Sequence, residues 1–177
     1  MCEKEALRQE VKQLKKLLFE DEKVCKSASI WRQVEATEYF VRSRVILLYW
    51  SMPDEVQTHD FIQRWHMQKT IILPVIDGDN LRLKPFMGRQ YLQHHSTLNL
   101  YEPQGDDYAN PDNIDIAIVP GIAFDSHNHR LGRGKGYYDK LLSQLNVYKI
   151  GVAFDFQMFN NIPFDEHDIA MDEVIIG

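Results

Sequence analysis

Cysteine is nearly absent: the 177 residues hold only Cys2 and Cys25, which excludes a disulfide framework and any cysteine-based zinc pattern. Long apolar runs are missing too. The longest is Val45 to Trp50, far short of the roughly 20 residues that a membrane helix needs. The opening Met1-Cys2-Glu3-Lys4-Glu5 has no secretory apolar segment. A cytoplasmic protein without a membrane partner is therefore expected. Glycine and proline number only 9 and 7, which excludes collagen-like and low-complexity chains. Positive charge is short: 20 Lys and Arg face 26 Asp and Glu, and none of the 20 lies beyond Lys149. So acidic a chain is a poor candidate for nonspecific nucleic-acid binding.

What is present is a globular composition, 44% hydrophobic, enough for one domain over 1–177 with its own core. Leu7, Val11, Leu14 and Leu18 recur at helical spacing and predict an amphipathic helix over 4–20. Lys4, Arg8, Lys12 and Lys16 form its other stripe, four apart and on one face. A second helix is expected over 27–41, and a third from Thr58 as cap through Phe61, Ile62 and Trp65. Strands are expected at 44–50, 70–76, 81–87, 114–119, 149–154 and 173–176, with a helix over 137–145. Asp77-Gly78 marks a hairpin turn. Residues 88–111 lack periodicity and read as a long loop. Strands alternating with helices predict an α/β fold with a largely parallel sheet flanked by helices.

The densest chemical signal is Arg130-Leu-Gly-Arg-Gly-Lys-Gly-Tyr-Tyr-Asp139, four cations counting Lys140 against one acid. Gly132, Gly134 and Gly136 let backbone amides approach an anion, and the interleaved cations add charge-assisted bonds. The helix that follows would add positive potential at its start. The string is neither a Walker loop nor a dinucleotide fingerprint. A flexible surface turn and solvated charge remain the plain alternatives for its parts, as for Lys4 and Arg8. His94-His95 and His127-x-His129 show no third ligand at a suggestive spacing and are read as loop residues.

Val119-Pro-Gly-Ile-Ala-Phe-Asp125 followed by Arg130 to Asp139 resembles the 5-formyltetrahydrofolate cyclo-ligase family. Lys4-x-x-x-Arg8, Ser51-Met-Pro-Asp-Glu-Val-Gln-Thr58 and Met171-Asp-Glu-Val174 are similar to further segments of that family. The resemblance implies a fold like that of ribose-phosphate isomerases and CoA transferases. It implies closure of 5-formyltetrahydrofolate, free or polyglutamylated, to 5,10-methenyltetrahydrofolate, with ATP as co-substrate, Mg2+ as cofactor and a phosphorylated formyl intermediate. Residue by residue it implies ATP binding by Lys4, Arg8, Arg130, Gly132, Arg133, Gly134, Lys135, Gly136, Tyr137 and Tyr138. Arg130 and Lys135 are its catalytic cations, and Asp139 and Asp168 its magnesium ligands. Folate would contact Trp50, Met52, Glu55, Arg133, Gly134, Lys135, Gly136 and Tyr137, with Glu55 on the pterin. A monomer is expected.

The family usually carries Gly two places before Arg130, where this chain has Asn128. Asn tolerates the left-handed region best among the larger residues, so a turn with positive φ is expected there. Two competing readings stay open. One is a phosphotransferase of another small acid, disfavoured by Glu55 with Trp50. The other is a binding protein without turnover, disfavoured by the joint presence of Lys4, Arg8, Lys135, Asp139 and Asp168.

Overall fold

The computed structural model describes residues 2–95 and 100–177. In chain order it forms α1 (Glu3–Leu17), α2 (Glu20–Ala36), α3 (Glu38–Arg42), β1 (Val45–Leu47), α4 (His59–Trp65), β2 (Thr70–Asp77) and β3 (Asn80–Pro85). Then come β4 (Leu92–His95), β5 (Leu100–Pro103), β6 (Ile116–Pro120), β7 (Ala123–Asp125), β8 (Arg130–Leu131) and α5 (Tyr137–Leu142). The chain closes with β9 (Tyr148–Ala153), β10 (Met158–Phe159) and β11 (Glu173–Ile176).

The main sheet has six strands in the order β11-β9-β6-β1-β2-β3, all neighbours parallel except β2 with β3. The central strands β1 and β6 are covered on both faces and apolar at every position, their side chains alternating between two cores, whereas the edge strand β3 carries Arg82 and Lys84. Ile46, Ile71, Leu73, Ile116 and Ile118 face α2, α3 and α4 through Ile30, Val34, Phe40 and Phe61. Leu47, Ile72, Ala117 and Val119 face the other way, toward Leu141 and Leu142 of α5. A three-stranded sheet, β10-β7-β8, stands beside this frame. Val11, fully buried, seats α1 against Ala123, Leu131 and Ile162 of that second sheet region. Burying such a side chain contributes about 1.5–3 kcal/mol. The contact aims the Lys4–Arg8 end of α1 at the loop after β8.

Several expectations change in detail. The helix expected over 27–41 begins earlier and breaks at Thr37, whose Oγ1 accepts from Phe40 N at 3.2 Å and donates to Val34 O. A β-branched hydroxyl residue caps more readily than it propagates a helix. Thr58 precedes α4 but does not cap it with its side chain. Its Oγ1 donates to Tyr49 O at 2.7 Å and accepts from Ser51 N, bracing the chain after β1 instead. The stretch 88–111, expected as a loop, contains the β4–β5 hairpin, with residues 96–99 outside the described residues. β4 is exposed beyond Leu92 and β5 is covered only in part, and their residues do not alternate between apolar and polar, so no period betrays them. Glu102 accepts from Ile76 N at 2.9 Å and ties this hairpin to β2. The Asp77-Gly78 turn closes β2 onto β3 with Asp77 opposite Asn80.

Asn128 has φ 63 and, among the described residues, is the one non-glycine residue with positive φ. Its carbonyl accepts from Met171 N at 2.8 Å and its Nδ2 donates to Asp172 O, so the turn is anchored from outside. A β-branched side chain here costs about 1–3 kcal/mol of strain. Asn128→Val is expected to lower the melting temperature by several degrees, whereas Asn128→Gly leaves it nearly unchanged. Equal melting of wild type and Asn128→Val in a thermal scan would contradict this.

Candidate active site

A cleft of about 650 Å3 opens at the carboxyl ends of β1, β2 and β6. Neighbours of β1 run from it in opposite sequence directions, β2 to one side and β6 to the other. Ligands of open parallel sheets bind at such switch points. Every site residue expected from the sequence lines this one cleft: Lys4, Arg8, Trp50, Met52, Glu55, the whole span from Arg130 to Asp139, and Asp168.

One wall is the glycine loop between β8 and α5. Gly134 and Gly136 take φ 94 and 67, conformations that side chains disfavour. Arg8 lies across the loop, its Nε donating to Gly132 O at 2.9 Å. A Cβ on Gly134 would stand 3.3 Å from the Arg8 guanidinium. The positive φ and this close approach together favour glycine where the α1 cation meets the loop backbone. Lys4 reaches Asp168 and, at 2.6 Å, Asp165. Burial opposes its charge, yet the two carboxylates hold the ammonium above its ordinary value. Asp168 is correspondingly held low: burial would raise it, but Lys4 and the Asp165 amide outweigh that. Because α5 has only six residues, the helix start adds little, and the side-chain cations carry the positive potential.

Arg130 is almost fully buried and donates to Asp139 Oδ1 at 2.9 Å. Its guanidinium lies 5.5 Å from the centre of the Tyr138 ring, and its Nε is a buried donor with no partner among the described residues. Tyr138 is pushed well above the ordinary phenol value by burial and by nearby Glu55, so its hydroxyl stays neutral. The Tyr137 hydroxyl donates to Gly78 O at 3.1 Å, tying the loop to the β2–β3 turn. Among the described residues Lys135 is exposed and makes no hydrogen bond or ion pair.

Opposite stands the segment after β1. Trp50 stacks on His59 at 4.0 Å and on Phe86 at 5.7 Å. Glu55 is used at both ends: Oε1 accepts from Arg133 at 3.0 Å and Oε2 from Met52 N at 2.9 Å. Arg133 therefore faces the Glu55 wall, where it also bonds Asp54 at 2.8 Å.

Two features escaped the sequence reading. Lys15 packs behind this wall, Nζ at 3.0 Å from Asp54 Oδ2, with 8% of its side chain exposed. Burial depresses its pKa despite Asp54, while Lys15 and Arg133 hold Asp54 low against its own burial. Lys15 falls outside the four-residue stripe of Lys4 and Arg8, so only the docked helix reveals it. Leu100, Tyr101 and Glu102 of β5 complete the cleft from the stretch expected as a loop. Lys15→Met strips Asp54 of one of two cations, an expected loss of about 1–2 kcal/mol, between surface and buried pairs. Urea denaturation checks this, with Lys15→Arg expected to recover most of the loss.

A mostly parallel α/β sheet with a cationic, glycine-lined cleft at its carboxyl edge defines a ligand-handling α/β protein. The model of the 5-formyltetrahydrofolate cyclo-ligase family matches residues 1–177. The 5-formyltetrahydrofolate cyclo-ligase of Mus musculus is 30% identical over 97% of this chain and 92% of its own length. That of Escherichia coli strain K12 is 30% identical over 76% of this chain and 79% of its own. The solved 5,10-methenyltetrahydrofolate synthetase of Aquifex aeolicus superposes with a TM-score of 0.88 at 32% identity, covering 99% of this chain and 90% of that one. The Mycoplasma pneumoniae 5,10-methenyltetrahydrofolate synthetase follows with a TM-score of 0.78 at 26% identity, covering 98% of each. The chain belongs to the 5-formyltetrahydrofolate cyclo-ligase family, a family of enzymes.

Proposed function

We propose that this chain closes 5-formyltetrahydrofolate to 5,10-methenyltetrahydrofolate at the expense of ATP, releasing ADP and phosphate. The observation that carries the reading is the cleft itself, with cations and glycine amides suited to phosphate on one wall and a flat aromatic with a carboxylate on the other.

A formamide oxygen is a poor leaving group, so it must first be phosphorylated. The formyl oxygen attacks the γ-phosphorus and the bond to ADP breaks. N10 then attacks the activated formyl carbon and loses its proton. The carbon–oxygen bond breaks, and phosphate departs with the former formyl oxygen. Phosphoryl transfer of this kind needs positioning and charge neutralisation more than a covalent nucleophile. Lys4 and Arg8 flank the polyphosphate from α1, and Arg130 and Lys135 with the loop amides of Gly132, Gly134 and Gly136 from the other side, while Arg133 stays with Glu55 and Asp54 on the folate wall. The buried Nε of Arg130, without a partner among the described residues, is a donor left for a phosphate oxygen at that point. Lys135, which pairs with no carboxylate among the described residues, is the cation best placed to follow the moving phosphoryl group.

Asp139 and Asp168 fit a magnesium site. Both line the cleft, and each keeps one oxygen, Asp139 Oδ2 and Asp168 Oδ1, free of hydrogen bonds among the described residues. Two carboxylates completed by substrate phosphates is the ordinary arrangement for this ion. When bound, it supplies neutralisation of phosphate charge. Glu55 holds the pterin N–H groups through the lone pairs left by Arg133 and Met52, Trp50 and Met52 pack on the ring, and Tyr137 closes the loop side. The adjoining cavity of about 830 Å3 shares Trp50 and Met52 and carries Arg32, Arg64 and Arg89, a place for the glutamate tail, single or extended. With these contacts a monomer suffices.

The test is incubation with 5-formyltetrahydrofolate and Mg-ATP, followed by near-ultraviolet absorbance of the methenyl product. Product is expected only with both nucleotide and divalent cation. Full-rate product in EDTA, or without ATP, would overturn the phosphorylation step.

A further inference from the structure

We propose that Asp125, His127 and His129 form a binding site for a first-row transition ion of the zinc class, outside the folate and nucleotide cleft. The spacing His127-x-His129 lacks a third ligand only when read downstream. In the folded turn between β7 and β8 the third group is Asp125, two residues earlier. One ligand atom from each of the three lies within 4.8 Å of the others.

The turn is built to hold them. Asp125 N donates to His129 O, Asn128 N donates to Asp125 O, and Asn128 takes its left-handed conformation between the two histidines. The rings of His127 and His129 end up 5.7 Å apart and 25° from parallel. Asp125 is fully buried, and its carboxylate cannot swing away. Its Oδ1 accepts from His127 N at 2.9 Å and His129 N at 3.0 Å, and its Oδ2 from Ile162 N at 3.1 Å. His129 Nδ1 stands 3.0 Å from the same Oδ2, and its ring is stacked on Phe164 at 3.9 Å.

Two of three donors are therefore preorganised. His127 is exposed and its ring makes no hydrogen bond among the described residues, so it is free to complete the set. An ion entering here takes the place of the proton between Asp125 Oδ2 and His129 Nδ1. Water fills the remaining position. Two imidazoles and one carboxylate suit zinc, cobalt, nickel or copper, whereas magnesium and calcium prefer all-oxygen sets. Because Arg130 directly follows His129, a bound ion also fastens the turn that delivers Arg130 to the cleft.

The experiment uses the untagged full chain carrying Cys2→Ser and Cys25→Ser, which removes both exposed thiols. Co2+ is titrated while its visible ligand-field absorption is followed, and Zn2+ binding is measured by calorimetry and by thermal melting. One ion per chain is expected, with a rise in melting temperature. His127→Ala and His129→Ala should each weaken binding by about tenfold or more. Asp139→Asn combined with Asp168→Asn should leave it unchanged, separating this site from the magnesium ligands. No saturable binding, or binding that survives His127→Ala, would overturn the proposal. His127 is exposed, so that variant carries the test even if His129→Ala unfolds the turn.

Discussion

In Lys135→Ala, kcat/KM for 5-formyltetrahydrofolate is expected to fall about ten- to a thousandfold, equivalent to about 2–4 kcal/mol of transition-state stabilisation. The ammonium is exposed and pairs with no described residue, so its removal breaks nothing in the resting fold. Melting should accordingly match wild type. The loss should appear mainly in kcat, since a cation that follows the transferred phosphoryl group acts more strongly on the transition state than on bound ATP. Lys12→Ala is the control: it lies on the same helix as Lys4 and Arg8 but lines no part of the cleft. Steady-state kinetics on the two variants decide the matter. Equal losses would mean that the general field of the protein is being measured.

Arg130→Met is expected to have the largest effect on stability, about 3–5 kcal/mol. The guanidinium is buried beside Gly132 and the side-chain stem beside Gly121, and the Asp139 carboxylate, only 18% exposed, depends on it. Methionine fills the volume but leaves that carboxylate without its cation. Asp139 would keep only the Ile169 amide. Chemical denaturation gives the magnitude, and Arg130→Met/Asp139→Leu should recover much of the loss because no charge is then stranded. A stability unchanged by Arg130→Met would show that the pair is compensated by solvent and not by burial.

The sheet was legible because both its faces are buried: Val45 to Leu48 and Ile116 to Val119 are apolar at every position, the mark of a covered parallel strand. The glycine string was legible as a unit, and with it the cleft. Asn128 was legible because so few residues tolerate its conformation. What stayed hidden depends on tertiary context. Thr37 and Thr58 are both plausible caps locally, and only the packing of β1 against α4 turns Thr58 into a brace. The β4–β5 hairpin touches the core only at its Leu92–Pro103 end, so no period marks it. Lys15 joins Asp54 across 39 positions of sequence, a pairing that exists only once α1 has docked. Asp125 was visible only as the end of the Val119–Asp125 motif, and the hydrogen bonds that aim it at two histidines belong to the folded turn.

The central claim is that the formyl oxygen leaves on phosphate, and one isotope experiment addresses it directly. The chain is given 5-formyltetrahydrofolate labelled with 18O in the formyl group, together with Mg-ATP, and the released phosphate is examined by mass spectrometry. One 18O atom is expected in each inorganic phosphate and none in ADP. Methenyl product accompanied by unlabelled phosphate, with the 18O lost to water, would contradict phosphorylation of the formyl oxygen and with it the role given to the cationic glycine loop.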